Sequence, residues 1–119
     1  MKILSLLISD RVNIDDNTKK VTIEGIYNSI RALNFPAKHK ELIVSVVVQG
    51  TPGNHHFRIS VIKDHKEIAA VDKEVPTGIT HYFIARFANI IFPEQGIYTI
   101  KALVDKEELA TNINLTLIK

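Results

Sequence analysis

The chain has 119 residues, of which 45% are hydrophobic and 24% are charged, and it contains no cysteine. This length suits one domain over residues 1–119, and the absence of cysteine excludes disulfides, thiol nucleophiles and zinc–thiolate sites. Fifteen Lys and Arg residues against thirteen Asp and Glu residues leave a net charge of +2, which is too small to indicate a nucleic-acid or anionic-membrane surface.

The first half of the chain predicts strands separated by polar turns. The apolar run at residues 3–8 predicts a first strand. It is too short for a signal peptide or a bilayer span, so we expect a cytoplasmic protein with no membrane partner. The stretch at residues 12–20 is polar and predicts a loop. Three further strands are predicted, at residues 21–27, 30–35 and 42–49.

The second half of the chain continues in the same way. Short turns separate the predicted strands, which cover residues 57–62, 67–75, 79–92, 97–104 and 109–118. Residues 79–92 are long enough for a helix, and Ala85, Arg86 and Ala88 favour one, but the surrounding β-branched and aromatic residues favour a strand. Eight or nine strands at regular spacing predict an all-β fold, a sandwich of two antiparallel sheets with Greek-key connections.

The segment at residues 93–105 predicts a particular corner of such a sandwich. A turn signal is followed by Gly96, Ile97 and Tyr98, and then by strict alternation into an acidic turn. This pattern is typical of the start of the penultimate strand in immunoglobulin-like sandwiches. We therefore expect Tyr98 to place its ring in the core and its hydroxyl on a backbone carbonyl, which is a structural role.

Two predicted strands are apolar on both faces, whereas a sandwich strand normally shows one polar face to water. Ile43 and Val47 lie opposite the clean apolar face of the strand at residues 42–49, and residues 79–92 carry apolar side chains on both sides. Two explanations stay open: loops such as residues 26–35 cover these outer faces, or the faces form a protein interface. For the interface, the predicted residues are Ile43, Val47, Tyr82 and Ile84.

Five short segments stand out in their order along the chain. They read Gly-Ile-Tyr-Asn-Ser-Ile at residues 25–30, Asn-Phe-Pro-Ala at 34–37, Gln-Gly-Thr-Pro-Gly-Asn-His at 49–55, Ile-Ile-Phe-Pro-Glu-Gln-Gly-Ile-Tyr at 90–98 and Val-Asp at 104–105. Together they resemble an uncharacterised family of small, single-domain bacterial proteins. The resemblance implies an immunoglobulin-like or C2-like β-sandwich and no activity. One departure is the last hairpin, where the family often has Val-Asp-Gly and this chain has Lys106 after Asp105.

Few residues of the chain suit catalysis or metal binding. The five histidines show no spacing typical of a zinc site, and the adjacent His55 and His56 point to opposite faces of a strand. Asp10, Asp15 and Asp16 are the calcium candidates, although they are more simply the polar residues of a solvated turn. No nucleophile, phosphate-loop or dinucleotide motif is found in the sequence, so we predict no catalytic residue and no cofactor.

These observations predict a small, non-enzymatic module that binds a protein partner or itself through its doubly apolar strands, with no nucleic-acid partner. The alternative is a loop-based ligand-binding or calcium-dependent module. A third option is an enzyme of unidentified chemistry, which would need a deep pocket with convergent polar groups.

Overall fold

The computed structural model describes residues 1–118 of the chain, and these residues form nine β-strands. The strands are β1 Lys2–Ile14, β2 Val21–Ile26, β3 Ser29–Ala32, β4 Ala37–Gln49, β5 Gly53–Lys63, β6 Lys66–Thr77, β7 Thr80–Phe92, β8 Gly96–Val104 and β9 Glu107–Leu117. Within residues 1–118, no helix has the length and apolar character needed to cross a membrane.

The strands form two sheets that pack face to face. Sheet A has the order β2-β1-β4-β7, and sheet B has the order β3-β9-β8-β5-β6. Neighbouring strands are antiparallel, except that β3 runs parallel to β9. The predicted all-β sandwich is confirmed. Residues 80–92 form strand β7 rather than a helix, because their β-branched and aromatic side chains suit a pleated surface.

The core lies between the two sheets and follows from alternation along the strands. In β4, every second residue of the central part points inward and is fully buried: Leu42, Val44, Val46 and Val48. Burial of each such side chain stabilises the fold by roughly 1.5–3 kcal/mol relative to exposure. Aromatic contacts cross between the sheets, since Phe57 of β5 stacks on Phe83 of β7 with ring centroids 4.5 Å apart.

Tyr98 occupies the corner between β7 and β8. Its side chain is fully buried, and its ring meets Phe92 edge to face at a centroid distance of 5.0 Å. Its hydroxyl donates a hydrogen bond to the Glu94 carbonyl oxygen at 2.6 Å and accepts one from the Glu94 amide at 3.2 Å. The predicted structural role of Tyr98 is therefore confirmed.

β1 and β4 are among the strands that extend further than the sequence pattern predicts. β1 continues to Ile14, where a loop was expected from residue 12, because its last three residues pair with residues 21–23 of β2. β4 begins at Ala37 rather than at residue 42, because it pairs with β7 as far as Phe92. In both cases a neighbouring strand satisfies the backbone of a segment whose side chains are too polar to predict a strand.

Residues 26–35 cross from sheet A to sheet B. The Tyr27 amide donates to the Ile8 carbonyl oxygen at 2.9 Å, and the Asn114 amide donates to the Asn28 carbonyl oxygen at 2.9 Å. β3 then adds to the edge of β9. This segment therefore connects the two sheets.

Candidate interaction surface

The four residues predicted for an interface meet on the outer face of sheet A. In the pairing of β4 with β7, Val47 lies opposite Tyr82, Ser45 opposite Ile84 and Ile43 opposite Arg86. Odd positions of β4 and even positions of β7 therefore share one face, because successive side chains in a strand alternate.

These four side chains differ in how much surface they show. Tyr82 is 47% exposed, whereas Val47 and Ile84 are half-buried. Ile43 is 0% exposed, between its registered neighbours Ser9 and Arg86, so it lies beneath the surface and supports the residues around it. A partner bound to this face would contact Tyr82, Val47 and Ile84 and would not reach Ile43.

β1 adds a residue to this surface that the sequence pattern did not indicate. A register irregularity between Ile3 and Ser5 shifts the alternation, so Leu6 and Ile8 pair with inward residues of β4. Leu7 consequently points outward, half-buried, opposite Ser45. We call Leu7, Val47, Tyr82 and Ile84 together the apolar patch. An apolar run such as residues 3–8 cannot reveal by itself which residue an irregularity turns outward.

Charged residues lie at the two ends of this face: Lys2 is at one end, opposite Gln49, and four charged residues are at the other. Arg11 of β1 pairs in register with Glu24 of β2, and Arg86 Nη1 lies 3.3 Å from Glu41 Oε1. These four residues line one cavity of about 290 Å³. The rows between Ser5 and Tyr82 and between Leu7 and Ile84 contain no charged side chain.

Ser45 lies in the middle of the apolar patch, between Leu7 and Ile84. It is 3% exposed, and its Oγ has no hydrogen-bond partner among the described residues. A buried hydroxyl without a partner costs about 1–3 kcal/mol, and such groups are uncommon in folded proteins. A serine here keeps the surface small and uncharged between its larger apolar neighbours.

The outer face of sheet B is different. Arg58 contacts Glu67 at 2.6 Å and Asp72 at 2.8 Å, and Lys101 contacts Glu108 at 3.0 Å. Its apolar members are interleaved with these ion pairs: Ile62, Ile97 and Leu103. Sheet B thus has the polar outer face expected of a solvated sandwich, and sheet A does not.

Two histidine–carboxylate contacts lie on the sheet B side of the molecule. His55 Nδ1 lies 2.5 Å from Asp105 Oδ2, and its Nε2 lies 2.7 Å from the Thr51 carbonyl oxygen. His56 Nε2 lies 2.5 Å from Asp72 Oδ1. Sequence spacing did not indicate these contacts, because the pairing of distant strands creates them. Within residues 1–118, no group of three His, Asp or Glu side chains is arranged to hold a metal ion.

The calcium candidates do not converge in the part of the chain that is described. Asp15 Oδ1 accepts hydrogen bonds from the amides of Asn17 at 2.9 Å and Thr18 at 2.8 Å, and these bonds hold the pKa of its carboxyl below the usual value. The carboxylate thus stabilises its own turn. Asp10 lies against Gly25 of β2, and Asp16 is exposed in the turn.

Tyr27 and His39 form a polar contact beside the crossing segment, with Tyr27 Oη 3.1 Å from His39 Nε2. Burial, with a smaller effect of the Asp10 charge, raises the pKa of Tyr27 to about 12. A phenol with that pKa stays protonated near neutral pH and does not serve as a base. Its half-buried ring packs on the core, which leaves Tyr82 as the tyrosine most available to a partner.

The comparisons with known proteins agree with the resemblance seen in the sequence. A family model matches residues 4–118, which is nearly the whole chain, and its description is a family of unknown function. The expected membership of an uncharacterised family is thus confirmed. None of the curated proteins matches the chain.

Proposed function

The chain belongs to the family of unknown function DUF6941, and we propose that it is a non-enzymatic module that binds a protein partner or a second copy of itself. The apolar patch is part of the contact surface. The observation that carries this proposal is the difference between the two outer faces: sheet B pairs its charges on the surface, whereas the centre of sheet A has none.

The composition of the patch suits association. Burying apolar surface contributes roughly 25 cal/mol per Å², and the serines beside the patch add no charge that must lose its water. Tyrosine is enriched among the residues that dominate binding energy, and Tyr82 is the most exposed member of the patch. Arg11, Glu24, Glu41 and Arg86 supply a charged rim at one end, as in many protein interfaces.

The other expectations from the sequence belong to the same proposal. We propose an immunoglobulin-like relationship, supported by the buried Tyr98 hydroxyl bonded back to Glu94 and by the two packed sheets. A bacterial, cytoplasmic protein remains the expectation. No comparable observation favours a calcium-dependent module, because the Asp15 carboxylate already accepts hydrogen bonds from its own turn. No comparable observation favours an enzyme either.

Native mass spectrometry of gently purified protein tests the proposal. Wild type is compared with Ile84→Glu in the patch and with Ile97→Glu, a matched change at a 61% exposed site on sheet B. We expect wild type and I97E to give a mass above one chain, and I84E to give one chain. Equal masses for I84E and wild type would contradict the proposal. Circular dichroism confirms that both variants are folded.

A further inference from the structure

Strand β7 is an unprotected edge of sheet A. It runs for 13 residues, Thr80–Phe92, and pairs with β4 on one side only among the described residues. An edge strand presents unpaired amide and carbonyl groups, and proteins usually block such edges with charges, proline or irregularities. Over its length β7 carries one Arg or Lys, Arg86, and no Asp, Glu or Pro. Its one residue of positive φ, Asn89 (φ 53°), lies near its C-terminal end, so residues 80–88 carry no such irregularity.

Strand β6 of the same molecule is an edge strand that carries blocking residues. It is the corresponding edge of sheet B, 12 residues long, and it carries six charged or proline residues: Lys66, Glu67, Asp72, Lys73, Glu74 and Pro76. Two edges of similar length therefore differ sharply in their blocking residues. The protein thus carries blocking residues on one exposed edge, β6. Exposure to solvent alone therefore does not account for their absence from β7.

Space is available beside the middle of β7. An open cavity of about 390 Å³ lies along residues 83–86, with Val71 and Lys73 of β6 on its other side. The part of β7 that borders this cavity includes Ile84, which also belongs to the apolar patch. An added strand would therefore meet both the backbone edge and the patch.

We propose, building on the proposed function, that the partner is a second copy of this chain and that the two β7 strands pair antiparallel about a twofold axis. Sheet A then continues through both copies as one eight-stranded sheet, in a closed and isologous arrangement. β7 fits this role because a twofold pairing needs one edge that is complementary to itself.

The side chains of β7 select one register. With Ile84 opposite the partner's Ile84, Arg86 lies opposite the partner's Tyr82. This arrangement places an apolar pair at the axis and a guanidinium beside an aromatic ring on each side of it. A register that set Arg86 against the partner's Arg86 would oppose like charges. The chosen register also joins the two apolar patches into one continuous surface.

Single-cysteine variants test the geometry, since the natural chain contains no cysteine. Ile84→Cys should form a disulfide-linked dimer under mild oxidation, because paired residues lie within disulfide reach. Val47→Cys should not, because its two copies would be three strand spacings apart across the sheet and four residues apart along it, roughly 20 Å. Ile97→Cys on sheet B measures random collision. We expect I84C to crosslink at least about tenfold faster than either control.

Charge variants, followed by sedimentation velocity, test the register. Ile84→Glu opposes two carboxylates at the axis and should weaken the dimer about tenfold or more. Tyr82→Glu places the new carboxylate opposite the partner's Arg86. If the β7 edges pair, the Y82E dimer should therefore persist. If the two patches instead packed face to face, the same substitution would abolish the dimer.

The outcomes separate the two proposals. Equal crosslinking of V47C and I84C, or loss of the dimer in Y82E, would show that the two copies associate through a contact other than the β7 edges. Either result would overturn the edge pairing but not the proposed function. A heavier assembly that lacks a second copy of the chain would overturn the edge pairing alone. A single-chain mass for wild type and every variant would overturn both.

Discussion

His55 and Asp105 are 50 positions apart in the sequence, yet His55 Nδ1 and Asp105 Oδ2 lie 2.5 Å apart in the folded protein. The second ring nitrogen of His55 faces the Thr51 carbonyl oxygen, so both nitrogens have acceptors as neighbours. Two acceptors favour the doubly protonated, cationic form of the imidazole. Asp105 also accepts the His56 amide at 3.0 Å, and the contact thereby joins β5 to the turn between β8 and β9.

This relationship predicts how stability depends on pH. The hydrogen bond to Asp105, and then the one to Thr51, raise the pKa of His55. The His56 amide, and then His55, lower the pKa of Asp105. The His55 contribution is complete below about pH 6.5 and is lost as the pH rises through its folded pKa. The Asp105 contribution is present above about pH 3.9 and is lost as the pH falls through its folded pKa.

We therefore expect the melting temperature to decline as the pH rises above about 6.5, and Asp105→Asn to flatten that decline. Asp16→Asn makes the same charge change at an exposed position in the β1–β2 turn and should leave the decline intact. Thermal melts from pH 5 to 9 and an NMR titration of the His55 ring measure both effects. An identical decline in D105N and wild type would show that the contact does not couple to folding.

The Tyr98 hydroxyl should stabilise the fold measurably. Tyr98→Phe keeps the buried ring but removes the bond to the Glu94 carbonyl, so we expect a loss of about 1–2 kcal/mol in the free energy of unfolding. Tyr82→Phe removes a hydroxyl from a side chain that is half exposed and should change that free energy by less than about 0.5 kcal/mol. Urea denaturation of both variants makes the comparison, and equal losses would refute it.

Gly25 should not tolerate a side chain. Its φ is +68°, and a Cβ atom there would lie 2.5 Å from Asp10 Oδ2 and 3.1 Å from Asp10 Cβ. Gly25→Ala therefore combines backbone strain with displacement of Asp10, and we expect a loss of about 1–2 kcal/mol. Gly78→Ala is the control, because the nearest atom to a Cβ at that position lies 3.9 Å away. Equal midpoints of denaturation for the two variants would contradict this account.

Replacing Ser45 with alanine should stabilise the fold. Its buried Oγ has no partner in the described part of the chain, so Ser45→Ala should raise the free energy of unfolding by about 1 kcal/mol. Ser9→Ala on the same face should not do so, because Ser9 Oγ donates to the Arg11 carbonyl oxygen at 3.4 Å. Denaturation of each variant below the concentration at which wild type associates isolates this effect. Destabilisation by S45A would mean that the hydroxyl is satisfied.

The sandwich fold was predictable because the patterns that indicate it, side-chain alternation and turn residues, lie within short segments of the sequence. Alternation in β4 and β8 marks their inward faces, and the turn before Tyr98 identifies a corner whose hydrogen bond lies within four residues. Pairing between distant segments was not predictable in this way. The parallel contact of β3 with β9 and the extension of β1 to Ile14 depend on backbone partners that no local pattern specifies.

The proposed interaction surface was predictable only in outline. Excess apolar residues on β4 and β7 indicated a shared outer face, and Val47, Tyr82 and Ile84 do lie on one face. Burial of Ile43 and outward placement of Leu7 depend on neighbouring strands and on an irregularity in β1. The His55 contact was missed for a related reason, because Asp105 reaches it only after β5 and β8 have paired.

The parallel pairing of β3 with β9 has a consequence for synthesis on the ribosome. Ser29 is made well before its strand partner Asn114, which becomes available only when β9 emerges. Until then Ile30 has no registered neighbour, and sheet B lacks two of its five strands. Contacts of such long sequence separation form slowly. A nascent chain therefore carries β3 unpaired until β9 has been made, and the sandwich is completed only after β9 has left the ribosome.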